Sequence, residues 1–273
     1  MVSLAVSSMF FHEYTTPEIF SHVEASGLDG IEYWIETPDF WLRNLPVDEI
    51  TACQNQHPAI RSLTLHAPIL DLNPCSINPD VADVSIKHAV RSIEIAGQLG
   101  ISVLTLHPGR RTAKRPVGAA DFARFEKYLA AIRKTAAKKS VKVCMENMEP
   151  AVNSLICSPD RMRELLDREP WLFFTLDVAH ALVRSPAEPQ HYIDLCGDRL
   201  VNVHMSRVDG KTQHLPLDSS PVMAGVMLAL KEAGYTGPLT LEIDDLNLRH
   251  PLTAAEKIAI LSRDRAFMQA CME

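Results

Sequence analysis

Short apolar runs alternate with longer amphipathic stretches along the whole chain. Eight runs are rich in β-branched or other apolar residues: Leu4–Ser7, Gly30–Trp34, Ile60–His66, Ser102–His107, Lys142–Glu146, Leu172–Asp177, Leu200–His204 and Leu239–Ile243. Most are uninterruptedly apolar, the pattern of parallel strands covered on both faces. The stretches between them carry helix start and stop signals. Thr16-Pro17 opens the first and Gly27 closes it. Asn78-Pro79-Asp80 opens the third, which runs to Gly100, and Ser158-Pro159-Asp160 opens the fifth, with Ser as N-cap and Pro at the first helical position. Ser219-Ser220-Pro221 opens the seventh, Gly234 closes it, and the eighth runs from about Thr253 to the end.

Strand followed by helix, eight times over, implies a parallel sheet. The competing arrangement, an open doubly wound sheet, normally offers a Gly-rich loop after its first strand. Here that place is taken by Ser7-Ser8-Met9-Phe10. The 273 residues are the usual length of an eight-fold α/β barrel, and no linker-like segment interrupts the series. The expected fold is therefore α/β, a TIM (β/α)8 barrel forming a single domain over residues 1–273.

Composition narrows the partners. The chain is 47% hydrophobic and 22% charged, a globular balance that builds a core without disulfides or structural metal. A metal would thus serve chemistry rather than folding. The formal net charge of -7 argues against a nucleic-acid partner. One local basic patch, Arg110, Arg111, Lys114 and Arg115, is open to two readings, a phosphate contact or a solvated loop. The six cysteines include no CxxC pair, and this scattered usage fits a reducing cytoplasm. The N-terminus lacks a basic stretch and is interrupted by His12 and Glu13, so it reads as a first strand rather than a signal peptide. No apolar run approaches the roughly 20 residues of a membrane helix.

The chemistry collects at the strand ends. The third run ends in His66, the fourth in His107, the fifth in Glu146, the sixth in Asp177 and the seventh in His204, and the eighth contains Glu242. In a barrel all carboxyl ends face one mouth, where active sites sit. Any one of these residues alone is more simply a hydrogen-bonded structural group or a helix cap. Six in consecutive strands are another matter. Converging carboxylates cost several kcal/mol unless a cation neutralises them. Three carboxylates among several imidazoles therefore imply a metal. His180, three residues past Asp177, can point into the same mouth. The segment from His204 to Leu217 is long and polar for its place in the barrel, and supplies Arg207, Lys211 and His214. Phe40, Trp41 and Leu42 lie outside the runs, where pocket lining, a subunit contact and plain packing all remain open.

His66-Ala67-Pro68, Leu106-His107-Pro108-Gly109, Met145-Glu146-Asn147, Leu176-Asp177-Val178-Ala179-His180, Asn202-Val203-His204, His214-Leu215-Pro216 and Leu241-Glu242-Ile243 occur in that order. On these pieces the chain resembles the xylose isomerase-like TIM-barrel superfamily, which includes sugar isomerases, ketose 3-epimerases, inosose dehydratases and endonuclease IV. The ordered Glu, Asp-x-x-His, His, Glu series is specific for the superfamily and poor at naming a substrate. In the ketose epimerase branch the resemblance implies one divalent metal, often Mn2+, held by Glu146, Asp177, His204 and Glu242. The two glutamates would also handle protons, and His180 would contact substrate. In the endonuclease IV branch it implies three zinc ions. His66, His107 and Glu146 would hold the first, and Glu146, Asp177, His204 and Glu242 the second. The third would use His180, His214 and an aspartate at position 212, but that residue is Thr212.

The resulting expectation is a divalent-metal-dependent isomerase or epimerase of a sugar or sugar phosphate. The metal, Mn2+, Co2+, Mg2+ or Zn2+, would polarise a carbonyl, and Glu146 or Glu242 would take the neighbouring proton to give a metal-stabilised enediolate. His180 with Arg207 or Lys211 would orient hydroxyls or a phosphate. The alternatives are a zinc phosphodiester hydrolase like endonuclease IV and a metal-dependent polyol dehydratase. The expected partner is a small sugar or polyol, without a membrane, and a homo-oligomer is left open.

Overall fold

The computed structural model describes residues 2–248 and 250–273, and in it eight parallel strands close into a barrel. These are β1 (Leu4–Ser7), β2 (Gly30–Trp34), β3 (Ser62–His66), β4 (Val103–Leu106), β5 (Lys142–Glu146), β6 (Phe173–Asp177), β7 (Leu200–Met205) and β10 (Leu239–Leu241). β10 closes the ring by pairing with β7 on one side and β1 on the other. Two further strands, β8 (Arg207–Asp209) and β9 (Thr212–Leu215), form an antiparallel hairpin outside the barrel. The open doubly wound sheet is excluded by this closure.

The strands match the apolar runs to within a few residues, and the differences have local causes. Ile60 is buried but precedes β3, because its N–H turns back to the His57 carbonyl at 3.0 Å. Arg61 and Ser62 both donate to the Asp29 carbonyl, which fixes the point where pairing with β2 begins. At the other end of the series, Glu242 lies just past β10, yet its N–H still donates to the Met205 carbonyl at 3.2 Å.

The helices start where side-chain acceptors meet unpaired N–H groups. Around the barrel run α1 (Thr16–Ser26), α2 (Pro38–Leu42), α3 (Val47–Gln56), α4 (Pro79–Leu99), α5 (Ala119–Lys139), α6 (Pro159–Arg168), α7 (Val178–Leu182), α8 (Glu188–Cys196), α9 (Pro221–Glu232) and α10 (Ala254–Met272). Asn78, Ser158, Ser220 and Thr253 cap α4, α6, α9 and α10 through their side-chain oxygens. Gly27 and Gly100 end α1 and α4 in the left-handed conformation.

The repeat is less regular than one strand and one helix per unit. After β2 the helical stretch is split into α2 and α3 by Pro46, with Asn44 and Leu45 held at positive φ of 60° and 57°. After β6 it is split into α7 and α8. After β7, the long polar segment folds back on itself as the β8–β9 hairpin, turning at Gly210 with φ 61°.

The apolar residues pack in the layer between strands and helices: Phe10, Phe20, Leu104, Phe125, Phe174 and Met227 are all fully buried. The barrel interior is different. A ring of polar side chains, Glu32, Thr64, Thr105, Thr175, Asn202 and Thr240, fills it and is almost completely buried. Thr105 and Thr175 hydroxyls meet at 2.9 Å, and Thr240 donates to Asn202 Oδ1 at 3.2 Å. This polar floor lies just below the strand ends that carry the candidate ligands, and within it Glu32 Oε1 makes no hydrogen bond. Among the described residues no helix is long and apolar enough to cross a membrane.

Candidate metal centre

Above the polar floor, the strand ends place His66, Glu146, Asp177, His204 and Glu242 in one layer, all buried. His107 follows β4, His180 follows β6 within α7, and His214 comes from β9. Three overlapping groups have ligand atoms within 4.8 Å of one another: Glu146, Asp177, His204 and Glu242; His66, His107 and Glu146; and Asp177, His180 and His214.

Each side chain is fixed from behind. Asp177 Oδ1 caps α7 by accepting from the His180 N–H at 2.6 Å, which leaves Oδ2 free to face the mouth. Asn147 clamps the Asp177 peptide from both sides, accepting its N–H at 2.8 Å and donating to its carbonyl at 2.9 Å. The Asn147 carbonyl also holds His180 Nδ1 at 2.9 Å. His66 Nδ1 is tied to the Ala67 carbonyl at 2.8 Å, so Nε2 faces Glu146 Oε2 at 3.4 Å. His107 Nε2 approaches the same oxygen at 3.1 Å. Its loop turns at Gly109, where φ is 76° and an added Cβ would stand 2.9 Å from Asn73 Oδ1. His204 Nδ1 faces Glu242, Glu146 and Asp177 oxygens at 3.1, 3.7 and 3.9 Å.

The fit to a cation rests on atoms without partners. Glu146 Oε1, Asp177 Oδ2, His204 Nδ1 and Glu242 Oε2 are all buried and make no hydrogen bond. That is one atom on each member of the four-residue group. A buried polar atom without a partner costs about 1–3 kcal/mol, more if charged. Four converging on one point are relieved together by a divalent ion, and three carboxylates with one imidazole are suitable donors for Mn2+, Co2+, Mg2+ or Zn2+.

Electrostatics report the same crowding. Burial pushes Asp177 well above the usual carboxylate range, reinforced by Glu242 and Glu146 and opposed by His180. Burial would also raise Glu146, but His107 and His204 hold it well below. Glu242 is likewise held low, against burial, mainly by His204. Burial opposes protonation of His204, yet Glu242, Glu32 and Glu146 push it well above an ordinary histidine. His180 rises to about 10 against its own burial, through Asp177 and Glu146. His214 is lowered by burial. Protons on His180, His204 and Asp177 thus partly balance a cluster with too much negative charge.

Of the residues expected from sequence, Glu146, Asp177, His204, Glu242, His66, His107, His180 and His214 come together. His214 sits at φ 54° in a non-glycine left-handed conformation, the kind of outlier that accumulates at functional sites. Thr212 does not supply a carboxylate beside His180 and His214; Asp177 does. Arg207 does not join the cluster. It donates to the Pro216 carbonyl at 3.3 Å and pairs with Asp218 at 3.2 Å. Lys211 is exposed at the tip of the hairpin. In the basic patch, the Arg110 backbone is gripped by the Asn73 side chain and bridges to Ser154, while Arg111 turns to the Pro116 carbonyl and Asp121.

Two residues escaped the sequence reading. Glu32 is fully buried on β2 and lies 2.8 Å from His204 Nε2. Trp34 sits in register with His66, and its buried indole N–H has no partner. The available signal was a lone carboxylate inside the otherwise uncharged strand Gly30-Ile31-Glu32-Tyr33-Trp34.

A family model described as a xylose isomerase-like TIM barrel matches residues 20–269 of this chain. The chain belongs to the xylose isomerase-like TIM barrel family. It is 33% identical over 273 residues, 99% of each chain, to the uncharacterized protein MJ1188 of Methanocaldococcus jannaschii. Among solved structures it resembles a D-tagatose 3-epimerase-like protein, at 22% identity, TM-score 0.77 and coverage of 98% of this chain and 99% of that one. It also resembles 3-keto-D-glucoside 4-epimerase from E. coli, at 14% identity, TM-score 0.80 and coverage of 99% and 100%. At these identities the structural likeness is one of fold.

Proposed function

We propose that this family member is a divalent-metal-dependent isomerase or epimerase of a small sugar or sugar phosphate. The observation that carries the reading is the pairing of roles in Glu146 and Glu242. Both belong to the four-residue group, both are buried, both are held ionised, and each keeps one oxygen without a partner. The bound ion would supply electrophilic polarisation of a carbonyl, which acidifies the adjacent C–H. An ionised glutamate beside that carbon can then take the proton, and the second can return it to the opposite face. Two active carboxylates on opposite faces invert the centre, whereas one that takes the proton from one carbon and returns it to the former carbonyl carbon, with the hydroxyl proton passing to the former carbonyl oxygen, moves the carbonyl along the chain. His180, protonated and fixed on the Asn147 carbonyl, is placed to donate to a substrate oxygen. The polar floor seals the site from below. Epimerases of ketoses and of a keto-glucoside among the similar structures support a carbohydrate substrate.

A second reading has a specific observation behind it. The His66, His107 and Glu146 group and the Asp177, His180 and His214 group offer places for further ions, as a metal-assisted phosphodiester hydrolase would require. Metal content of the protein purified without chelator separates the two. About one equivalent of Mn2+, Co2+ or Mg2+ supports the sugar reading, and two or three tightly held Zn2+ favour the hydrolase. A protein that holds no divalent ion, even on titration, sinks both. On a substrate found by screening ketoses and their phosphates, Glu242→Gln should lower kcat by about 10²–10⁴, the usual contribution of a general base. Unchanged turnover would remove Glu242 from the proton-transfer role.

A further inference from the structure

Two layers of side chains fill the upper barrel, and they are related strand by strand. Thr64, Thr105, Thr175, Asn202 and Thr240 lie in the polar floor. Two residues further along the same segments come His66, His107, Asp177, His204 and Glu242, the candidate ligands. Alternate residues of a strand point to the same face. On β2 the floor residue is Glu32, so the place of β2 in the ligand layer belongs to Trp34, which pairs in register with His66. Trp34 is 2% exposed. Its backbone is held firmly. The N–H donates to the Ser8 hydroxyl at 2.8 Å, and the carbonyl accepts from the Thr37 N–H at 3.0 Å and hydroxyl at 2.8 Å. The His12 ring lies against the indole, 5.7 Å from centroid to centroid.

Trp34 differs from its neighbours in this layer in being unable to bind a metal. An indole has no lone pair to offer, only the Nε1–H donor. That donor is buried without a partner. Glu146 Oε1, Asp177 Oδ2 and Glu242 Oε2 are unpartnered too, but they are acceptors, and one divalent ion relieves them together. The same ion cannot relieve an N–H, which needs an oxygen. A buried donor left without one costs its full desolvation.

We propose that Trp34 is a substrate-binding residue: a substrate seated beside the metal turns one of its hydroxyl oxygens to the indole Nε1–H. The inference rests on the reading of this centre as one that acts on a sugar or sugar phosphate, and it adds a requirement to that reading. The metal takes the carbonyl and its neighbouring hydroxyl, so the oxygen that meets Trp34 is a further one, on the β2 side of the mouth. The indole ring gives the C–H groups beside that hydroxyl an apolar wall. An analogue that lacks the hydroxyl leaves the donor unpaired again.

The test uses the full chain loaded with Mg2+, which is diamagnetic, and labelled with 15N in its tryptophans. The titrants are a panel of ketoses and ketose phosphates, D-tagatose and D-fructose first. The chain has three tryptophans, so three indole N–H signals report. A sugar that binds should move the Trp34 signal downfield. Trp171, whose indole already donates to Glu169 at 2.6 Å, should stay in place. Trp34→Phe keeps a ring and removes the N–H. Its affinity for that sugar should fall about 3- to 10-fold, the worth of one neutral hydrogen bond, while its Mn2+ affinity stays within about twofold of wild type. The wild-type spectrum decides the matter even should W34F not fold. Three results overturn the role given to Trp34 and leave the sugar reading standing: a sugar that binds without moving the Trp34 signal, a W34F protein that binds it as tightly as wild type, and a W34F protein that loses Mn2+ affinity together with sugar affinity. A metal-loaded wild type that binds none of the panel overturns both.

Discussion

His180 shows how a single residue is set by its neighbours. Asp177 caps its N–H, Asn147 fixes its ring, and Asp177 and Glu146 hold its pKa at about 10. Folding therefore raises this pKa above the ordinary value near 6.5. A group raised on folding adds stability that is fully present below its unfolded pKa and lost as pH rises through its folded one. In the metal-free protein, the melting temperature should accordingly fall between about pH 6.5 and 10, and His180→Asn should flatten that slope. Metal affinity should move the opposite way. Protons on His204 and Asp177 compete with the ion, so binding should tighten as pH rises. Calorimetric Mn2+ titrations at several pH values would check this, and affinity that falls with pH would contradict the charge pattern described for the cluster.

At the scale of elements, Lys257 ties the segment after β10 to the segment after β1. It sits in the first turn of α10, buried, with Nζ on the Phe10 carbonyl and 2.7 Å from Asp245 Oδ2. It also lies over the Phe10 ring at 4.9 Å. One ammonium thus links the segment after β1 to the segment that follows Glu242. Removing one member of a buried ion pair leaves the other uncompensated and costs about 3–5 kcal/mol in full burial. Asp245 is only partly buried, so the cost of Lys257→Met should be below that range. Hydrogen exchange should quicken in residues 244–248 and stay unchanged in β5 and β6. Exchange that quickens across the whole barrel would instead mark Lys257 as a residue of global stability. The β8–β9 hairpin is held in a similar way, by the Asp244 N–H on the His214 carbonyl at 2.9 Å.

For the whole molecule, the barrel concentrates unfavourable interactions at one end and compensates them elsewhere. The apolar layer between strands and helices stabilises the fold, while the mouth gathers buried acids and unpartnered atoms. An ion that binds only the folded chain stabilises it by RT ln(1 + [L]/Kd), about 2.7 kcal/mol at a hundredfold excess over Kd. Added Mn2+ or Zn2+ should raise the melting temperature by several degrees, EDTA should reverse the shift, and the quadruple variant E146Q/D177N/H204N/E242Q should show no shift. A full metal-dependent rise in that variant would place the ion somewhere else.

The sequence by itself determined the eight strands, because a parallel strand covered on both faces has to be a short apolar run, as in Lys142–Glu146 and Phe173–Asp177. It determined most helix ends through Asn78, Ser158 and Gly100, whose effects are local. It also determined which residues crowd the mouth, since Glu146, Asp177 and His204 end their strands and closure brings all such ends together. Tertiary structure alone decided the rest. Whether Arg207 serves a substrate or Asp218 depends on a hairpin whose turn at Gly210 gave no periodic signal. That Asp177, rather than residue 212, accompanies His180 and His214 depends on distances across strands. That Glu32 stands 2.8 Å from His204, 172 positions away in the chain, follows only from closure of the barrel around its interior. Periodicity and capping act over a few residues and can be read along the chain, whereas partner choice inside a closed barrel is set by which side chains the closure brings face to face.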